Sequence, residues 1–325
     1  MTEKTNPSSD ESEIARAAAL LRSGGLVAFP TETVYGLGAN ALDAQAVERI
    51  FEVKGRPPTS PLIVHVASIH LARLIVSEWP LKADLLAHRF WPGPLTLVLR
   101  KHANISLRVT AGLDTVGIRV PAHPLALDLL RAAGVPVAAP SANRFGAVSP
   151  TCAAHVRASL GDRVDMILDG GPTDVGIEST VLSIVEEPTL LRPGMILQEQ
   201  IEGVIGPVIM ADAPVEGLGH ESPGMHSRHY SPVTKLIVVG PGDVLPPGRC
   251  AYMFITAPRG TDKGIPMPDD AERYAAMLYQ TLLDLDAGGY DWIAVEAPPK
   301  GGAWTAIHDR LRRAAAKQGT PNPLL

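Results

Sequence analysis

Residues 29–66 constrain the fold of this chain more than any other stretch, because they place a helix between two strand-like runs. An apolar, β-prone run over 26–29 leads into the stretch, and a second buried run over 62–66 ends it. Between them, Asp43 is a candidate N-cap and Gly55 a candidate left-handed C-cap. The enclosed helix carries apolar residues at helical spacing: Ala46, Val47, Ile50 and Phe51. The order strand, helix, strand predicts an α/β fold.

The end of this helix is basic. Lys54 and Arg56 flank Gly55, and the prolines that follow stop the helix before the second strand. One interpretation is a solvated helix end that complements the helix dipole. The net charge of the chain is −5, so any phosphate chemistry must rely on local basic clusters of this kind. The other interpretation is a basic cluster that serves such phosphate chemistry. The residues alone leave both interpretations open.

The glycines before the helix resemble a dinucleotide fingerprint, Gly36-x-Gly38-x-x-Ala41. A dinucleotide site needs an acidic residue at the end of the second strand to hold the ribose. Here that strand ends at His65 and Val66. The context therefore argues against nicotinamide binding, and the glycines instead allow a close approach of the backbone to a ligand.

Several polar residues interrupt or follow apolar runs. Arg119 lies in the predicted strand over 116–120 and requires a partner if buried, either a bound carboxylate or an internal ion pair. Ser141 and Asn143 follow the predicted strand over 135–139, which suits ligand hydrogen bonding or a simple turn. No G-x-S-x-G elbow surrounds Ser141, which argues against a serine hydrolase.

Composition shifts divide the chain into three predicted parts. A first α/β domain covers 1–206, a linker rich in Gly, Pro, Ala and Glu covers 207–233, and a second domain covers 234–325. In the last part, strands alternate with helices, which predicts a small parallel α/β domain. The predicted strands cover 236–239, 251–255 and 291–295, and the predicted helices cover 270–285 and 302–317.

Cysteines and histidines give no metal pattern. Cys152 and Cys250 form no CxxC pair, so we expect reduced thiols rather than a disulfide framework or a zinc site. His220, His226 and His229 lack accompanying cysteines or carboxylates and are predicted to be solvent-exposed. No apolar run approaches the roughly 18 residues of a membrane span, and no signal peptide is evident. We therefore expect a cytoplasmic protein.

Several sequence motifs along the chain resemble those of the YrdC/Sua5 family of threonylcarbamoyl-AMP synthases. The resemblance covers nearly the whole sequence. The motif near residues 222–232 is similar to that of the longer, Sua5-type members. The matching segments are PTETVYGLGANA, KGRPPTSPLIVHV, WPGPLTLVL, TAGLDTVGIRVPAHP, PVAAPSAN, DGGPTDVGIESTVL, LLRPG and SPGMHSRHYSP.

The resemblance implies a YrdC-like twisted open sheet with flanking helices, followed by a smaller Rossmann-like α/β C-terminal domain. It also implies that L-threonine, bicarbonate and ATP, with Mg²⁺, form threonylcarbamoyl-AMP and pyrophosphate for the t6A37 modification of tRNA. The implied partners are downstream threonylcarbamoyl-transferase proteins that act on tRNA. An RNA-binding YrdC-type module without synthase activity is the alternative, although the negative charge and the lack of interleaved aromatics weaken it.

The resemblance also implies the roles of individual residues. Lys54 and Arg56 are the catalytic candidates, with Lys54 beside the phosphates, and no residue is assigned to a metal. The implied ATP contacts are Arg56, Ser60, Thr115, Ser141, Asn143, Ser149, Arg192 and Tyr230. The implied threonine contacts are Thr31, Thr33, His65, Arg119 and Ser179. Because the linker is long for a connector, we also predict that residues 222–232 form a lid over the nucleotide.

Overall fold

The structure is a computed structural model that describes residues 9–211 and 229–316. In chain order, its elements are α1 (Ser9–Arg22), β1 (Val27–Phe29), β2 (Gly36–Asn40), α2 (Ala44–Lys54), β3 (Ile63–His65), α3 (Ile69–Arg73), α4 (Leu81–Phe90), β4 (Leu95–Arg100), β5 (Thr115–Arg119), α5 (Pro124–Ala133), β6 (Val137–Ala138), α6 (Ala153–Leu160), a 3₁₀ turn (Gly161–Arg163), β7 (Met166–Ile167), β8 (Thr180–Ser183), β9 (Thr189–Arg192), α7 (Gln198–Ile205), β10 (Ile209–Met210), β11 (Lys235–Val239), β12 (Cys250–Phe254), β13 (Lys263–Pro266), α8 (Ala271–Asp286), β14 (Trp292–Glu296) and α9 (Trp304–Ala315).

One large mixed sheet forms the first part of the molecule. Within the described residues it has ten strands, in the order β10-β9-β8-β4-β5-β3-β6-β2-β1-β7. Side chains of β1 alternate between two apolar clusters, because successive residues of a strand point to opposite faces. Val27 and Phe29 pack with α1 and α5, whereas Ala28 joins the cluster that includes α2 and α4. Both faces of the sheet are therefore covered by helices, as the predicted YrdC-like α/β class requires.

The predicted caps of α2 are confirmed. The Asp43 side chain accepts hydrogen bonds from the backbone N–H groups of Gln45 and Ala46, which would otherwise lack partners at a helix N-terminus. Gly55 has φ 63° and ψ 35°, the left-handed conformation in which glycine lacks the steric penalty of a Cβ. The helix therefore ends beside Arg56, as the sequence predicts.

The glycines that resemble a dinucleotide fingerprint lie in a regular strand. Gly36 and Gly38 lie inside β2, which pairs antiparallel with β1. A Cβ at Gly38 would lie 2.8 Å from Phe29 Cε1 and 2.9 Å from Val137 Cγ1, both in buried side chains. The segment is therefore a regular strand packed tightly against its neighbours, which the sequence analysis did not predict.

A second sheet forms the smaller part of the molecule. In the region the structure describes, it has four parallel strands in the order β11-β14-β12-β13. Its apolar cluster includes α8 residues such as Leu278 and Leu282 and α9 residues such as Ile307 and Leu311. The small parallel α/β domain is confirmed, and β13 is an edge strand that the sequence analysis did not predict.

The two parts pack closely against each other. The apolar cluster of the second sheet also contains Val34, Val148 and Ile177 from the first part of the chain. Gly176 has φ 76°, and a Cβ there would lie 2.4 Å from the Ala275 carbonyl oxygen on α8. The interface at this point therefore accommodates no side chain.

The first sheet extends into the predicted linker. β10 lies within the range 207–233 and pairs in parallel with β9. Most of the predicted lid over 222–232, together with His220 and His226, lies outside the described residues. No helix among the described residues is long and apolar enough to cross a membrane.

The close packing around β2 leads to a stability prediction. We expect Gly38→Ala to lower the free energy of unfolding by about 1 to 3 kcal/mol, because the added methyl group overpacks a rigid core. Chemical denaturation followed by circular dichroism measures this change. Gly203→Ala in α7 is the matched control: no atom lies within 4 Å of a Cβ there, and alanine favours the helix. Equal stability of Gly38→Ala and the wild type would contradict the packing argument.

Candidate functional site

A cleft of about 550 Å³, part of it open to solvent, lies over the middle of the large sheet. Its walls come from β2, β3 and β5, from the segment after β6, and from residues beside β8 and β9. The lining residues are Thr31, Thr33, Val34, Gly36, Arg56, Ile63, His65, Arg119, Ala139, Pro140, Ser141, Glu178, Ser179, Arg192, His229 and Tyr230. Nine of the fourteen predicted site residues are therefore gathered around one cleft.

Strand register brings His65 and Arg119 together. β3 and β5 run parallel, and His65 pairs with Arg119 at the ends of both strands. The His65 ring makes an edge contact with Phe29, with 6.2 Å between ring centroids. Burial, reinforced by the positive charge of Arg119, lowers the pKa of His65 to about 3. His65 is therefore a neutral imidazole at physiological pH.

The buried guanidinium of Arg119 has an internal partner. Its Nη2 lies 2.8 Å from Glu32 Oε1, and its Nη1 donates to Thr33 Oγ1 at 2.9 Å. Its Nε donates to the carbonyl oxygen of Gly93. The interpretation of an internal ion pair is thus confirmed, and Arg119 still lines the cleft. Sequence reasoning missed Glu32, although it lies in the same PTET turn as Thr31 and Thr33.

Hydroxyl groups in that turn face one another. Thr31 Oγ1 donates to the carbonyl oxygen of Val34 at 2.6 Å, and the Oγ1 atoms of Thr31 and Thr33 are 2.8 Å apart. Both side chains are buried. Because the Thr33 hydroxyl also accepts from Arg119, the turn and the strand end form one rigid polar wall.

Lys54 and Arg56 are buried, so the interpretation of a solvated helix end is wrong. Lys54 Nζ donates to the carbonyl oxygens of Ser141 and Asn143, at 2.6 and 2.5 Å. Burial and the neighbouring Arg56 hold the pKa of Lys54 well below its ordinary value. Lys54 does not line the cleft. Its hydrogen bonds instead hold the segment after β6 in place.

Arg56 does reach the cleft. Its guanidinium donates to the carbonyl oxygens of Ser60 and Pro61 and lies over the Phe145 ring, 5.6 Å from the centroid. Burial lowers the pKa of Arg56 to about 10, with Tyr230 opposing this shift and Arg192 adding to it. The group remains cationic at neutral pH, in a place where water does not solvate it.

Ser179 and Arg192 form the opposite wall. Arg192 Nε donates to the Ser179 carbonyl oxygen, and Nη2 donates to Ser179 Oγ at 3.2 Å. Ser179 Oγ also lies 2.8 Å from Thr96 Oγ1 on β4. Burial lowers the pKa of Arg192.

Glu178 joins this wall to the second domain. Its Oε1 accepts from the Ser149 hydroxyl at 2.6 Å, and its Oε2 accepts from Tyr279 OH and Arg310 Nε, each at 3.0 Å. Sequence analysis did not assign Glu178 to the site. The only signal was its position in DGGPTDVGIESTVL, immediately before Ser179.

Tyr230 and His229 close one end of the cleft. His229 is buried, so the prediction of a solvent-exposed histidine is wrong for this residue. The Tyr230 ring stacks on Tyr279 at 5.8 Å, and the Arg310 guanidinium lies 5.4 Å from the Tyr230 centroid. Burial raises the pKa of Tyr230, which keeps its hydroxyl protonated.

Four other predicted residues lie away from the cleft lining. Asn143 Nδ2 donates to the carbonyl oxygens of Arg144 and Ala147, and Ser149 donates to Glu178. Ser60 is buried beside Arg56. Thr115 begins β5, four residues before Arg119, and is therefore about 13 Å from the strand end at a rise of roughly 3.3 Å per residue.

The carboxylates among the described residues do not form a resident metal site. In residues 9–211 and 229–316, no group of three or more His, Cys, Asp or Glu side chains could hold a metal ion. The two carboxylates near the cleft are each engaged, Glu32 by Arg119 and Glu178 by Arg310. This donor set does not fit a Mg²⁺ ion held by the protein alone.

Two family models match the chain in succession. One, described as Telomere recombination for the Sua5, YciO and YrdC proteins, matches residues 19–194. The other, described as Threonylcarbamoyl-AMP synthase, C-terminal domain, matches residues 196–316. Together they define the class: a YrdC-type domain followed by the C-terminal domain of Sua5 proteins.

Individual relatives are similar over almost the entire chain. Threonylcarbamoyl-AMP synthase from Pyrococcus abyssi is 44% identical over 94% of this chain and 95% of its own length. Threonylcarbamoyl-AMP synthase from Bacillus subtilis is 45% identical over 95% of this chain and 94% of its own length. The structure of P. abyssi Sua5 complexed with L-threonine superposes with a TM-score of 0.88 and 41% identity, covering 94% of each chain.

The chain belongs to the Sua5-type, two-domain family of threonylcarbamoyl-AMP synthases. It is therefore a nucleotidyltransferase, and this result decides against an RNA-binding module without synthase activity. An adenylate product implies that ATP is a substrate.

The depressed pKa of His65 predicts a pH-dependent stability. Between about pH 3 and 6.5 the unfolded chain binds a proton at this residue and the folded protein does not, so this contribution to stability falls as pH falls through that range. We expect the unfolding free energy of wild type relative to His65→Gln to decrease by on the order of 2 kcal/mol between pH 6.5 and 5. Urea titrations at the two pH values measure it.

The same substitution at His70, which is exposed on α3, provides the control for this experiment. Because the His70 side chain is exposed, this variant measures the effect of replacing histidine by glutamine without the loss of a buried side chain. Parallel pH curves for wild type and His65→Gln would show that the burial of His65 is not linked to protonation.

Proposed function

We propose that this protein condenses L-threonine, bicarbonate and ATP into L-threonylcarbamoyladenylate and pyrophosphate in the cleft described above. The observation that carries the proposal is the gathering, around one cleft, of all five predicted threonine contacts and four of the predicted ATP contacts. Their spacing in the chain ranges from two residues to well over a hundred, so only the fold brings them together.

Threonine and its carbamate are assigned to the end of the cleft where β3 and β5 finish. Arg119 offers a fixed guanidinium for a carboxylate, the geometry that favours paired charge-assisted hydrogen bonds. Neutral His65 and the hydroxyls of Thr31, Thr33 and Ser179 can hydrogen-bond an uncharged or partly charged group without adding cationic charge. The Pyrococcus relative bound to L-threonine supports the choice of amino acid.

ATP is assigned to the other side, around Arg56, Ser141 and Arg192. Buried polar atoms that lack a hydrogen-bond partner among the described residues support this assignment. Such atoms occur in several parts of the molecule, and among them are Ser60 Oγ, Asn143 Oδ1 and Tyr230 OH, in residues predicted to contact ATP. Such atoms are rare in folded proteins, and a ligand is one explanation for them. Thr115 and Ser149 complete the predicted nucleotide contacts.

The proposed chemistry needs no covalent enzyme intermediate. The amino group of threonine and bicarbonate form a carbamate with loss of water. A carbamate oxygen then attacks the α-phosphorus of ATP, the bond from that phosphorus to the β-phosphate oxygen breaks, and pyrophosphate leaves. Two unit negative charges about 4 Å apart repel by on the order of 4 kcal/mol at an effective dielectric of 20. Arg56, Arg119 and Arg192 are proposed to offset that repulsion through fixed positive charge.

Lys54 is proposed to act on the site indirectly. Its hydrogen bonds to the carbonyl oxygens of Ser141 and Asn143 fix the segment that would face the nucleotide. Mg²⁺ is proposed to arrive with the phosphates of ATP, because the protein carboxylates near the cleft are already paired.

Water exclusion is the proposed role of the segment over 222–232. Both carbamate and acyl-adenylate react readily with water, so a covered site favours the product. The buried position of Tyr230, which lines the cleft, supports a nucleotide contact at the end of that segment. The product is proposed to pass to threonylcarbamoyl-transferase proteins acting on tRNA, in the cytoplasm. The proposed domain bounds remain 1–206, 207–233 and 234–325.

Pyrophosphate release with each substrate omitted in turn tests the reaction. We expect release only when ATP, threonine and bicarbonate are all present, because the carbamate is the nucleophile. A coupled phosphate assay after pyrophosphatase treatment measures it. Serine should be a poorer substrate by roughly ten- to 200-fold in kcat/KM, since it lacks one methyl contact. Equal release in the absence of threonine would reject the proposed function.

Arg119→Lys tests the threonine end. We expect about a tenfold rise in the KM for threonine, because an ammonium group cannot reproduce the paired hydrogen bonds of a guanidinium. Initial rates are measured well below the melting temperature, since the substitution also weakens the ion pair with Glu32.

The matched control for this experiment is Arg131→Lys. Arg131 is exposed on α5, pairs with Asp128 and does not line the cleft. Its substitution should leave KM unchanged. If Arg119→Lys also binds threonine normally, Arg119 serves only its internal ion pair.

A further inference from the structure

The side chain of Arg310 crosses from the second domain to the wall of the cleft. Arg310 lies on α9 and its side chain is completely buried. Its Nε donates to Glu178 Oε2 at 3.0 Å, and its Nη2 donates to the Glu178 carbonyl oxygen at 3.1 Å. Nη1 donates to the Pro193 carbonyl oxygen at 2.7 Å. One guanidinium therefore holds two separate segments of the first domain.

Both segments carry residues of the proposed site. Glu178 directly precedes Ser179, a proposed threonine contact, and Pro193 directly follows Arg192, a proposed ATP contact. The guanidinium also lies against the ring of Tyr230, the third residue at this end of the cleft. The Ser179 and Arg192 segments already contact each other through strand pairing and the Arg192 hydrogen bonds. Arg310 adds a further link between them from outside the cleft lining.

The surroundings keep Arg310 charged and oriented. Burial opposes its charge, but the neighbouring Tyr230 and Glu178 raise its pKa above the ordinary value. Asp309 lies 3.2 Å from Arg310 Nη1 and also accepts from Arg312 and Arg313. The Glu178 carboxylate also accepts hydrogen bonds from Tyr279 OH on α8 and from Ser149 Oγ in the first domain.

We propose that Arg310 is a positioning residue for the synthase reaction, through which the C-terminal domain sets the shape of the substrate cleft. It acts on substrates only through Glu178, Pro193 and Tyr230 and touches none of the reacting atoms. The inference rests on the proposed function, because Arg310 is proposed to position residues that contact threonine and ATP. The C-terminal domain is then part of the active site's construction rather than an appended module.

Arg310→Lys in the full chain is the principal test. Lysine keeps the positive charge but cannot donate to Glu178 and Pro193 with the geometry of a guanidinium fork. We expect the KM values for threonine and for ATP both to rise by about tenfold, with a smaller effect on kcat. Rates are measured at a temperature where circular dichroism confirms that the variant is folded.

Two further variants separate positioning from stability. Arg312→Lys is the control: Arg312 contacts Asp309 on the same helix, is partly exposed, and should leave both KM values unchanged. Tyr279→Phe removes one hydrogen bond to Glu178 and keeps the ring stacked on Tyr230. We expect it to raise the KM for threonine by about threefold, the loss of one modest hydrogen bond.

The outcomes distinguish this inference from the proposed function. Wild-type protein that releases pyrophosphate without threonine overturns both. The second outcome is that pyrophosphate release by the wild type depends on threonine, but folded Arg310→Lys has unchanged KM values. This result overturns the inference alone, even if the melting temperature of the variant falls. If Arg310→Lys does not fold, unchanged threonine KM in Tyr279→Phe overturns it.

Discussion

The burial of positive charge is the condition on which the candidate site depends. Lys54 and Arg56 lie beneath the surface with main-chain carbonyl oxygens as their hydrogen-bond acceptors, and each has a lowered pKa because burial disfavours the charged form. Removing a cation from water without an opposite charge costs several kcal/mol. An anionic ligand in the cleft would supply that charge beside Arg56, which lines the cleft. The rigid elements around the cleft, from the capped end of α2 to the paired ends of β3 and β5, keep these groups in place before such a ligand arrives.

The fold was predictable where it depends on local chemistry. Asp43 and Gly55 mark the ends of α2 because a capping carboxylate and a left-handed glycine act on neighbouring residues. The alternation of strands and helices after residue 234 likewise predicts the second sheet. β2 was not predicted because its glycines suggest a turn. Glycine is needed at position 38 because a Cβ there would lie too close to Phe29 and Val137 in adjacent strands. Such a cause exists only after the sheet has formed.

The site was predictable as a set of residues but not as an arrangement of contacts. The motifs shared with the family identified most of the residues that line the cleft, including His65 and Arg119. It did not identify Glu32 as the partner of Arg119, because an ion pair between residues 87 positions apart leaves no periodic signal. The contact between Glu178 and Arg310 joins residues 132 positions apart and crosses between domains. Spacing rules describe neighbours on one element, and neither pair is of that kind.

The glycine at the domain interface restricts how these domains can be recombined. A side chain at position 176 would overlap the backbone of α8, at Ala275 and Ala276, and the positive φ at Gly176 already disfavours other residues. A chimaera that joined this C-terminal domain to a YrdC-type domain with a larger residue there would separate the two surfaces by the width of a side chain. The hydrogen bonds between Arg310 and Glu178 tolerate no such separation. Modular exchange of the second domain is therefore limited by one missing methyl group as much as by any charged contact.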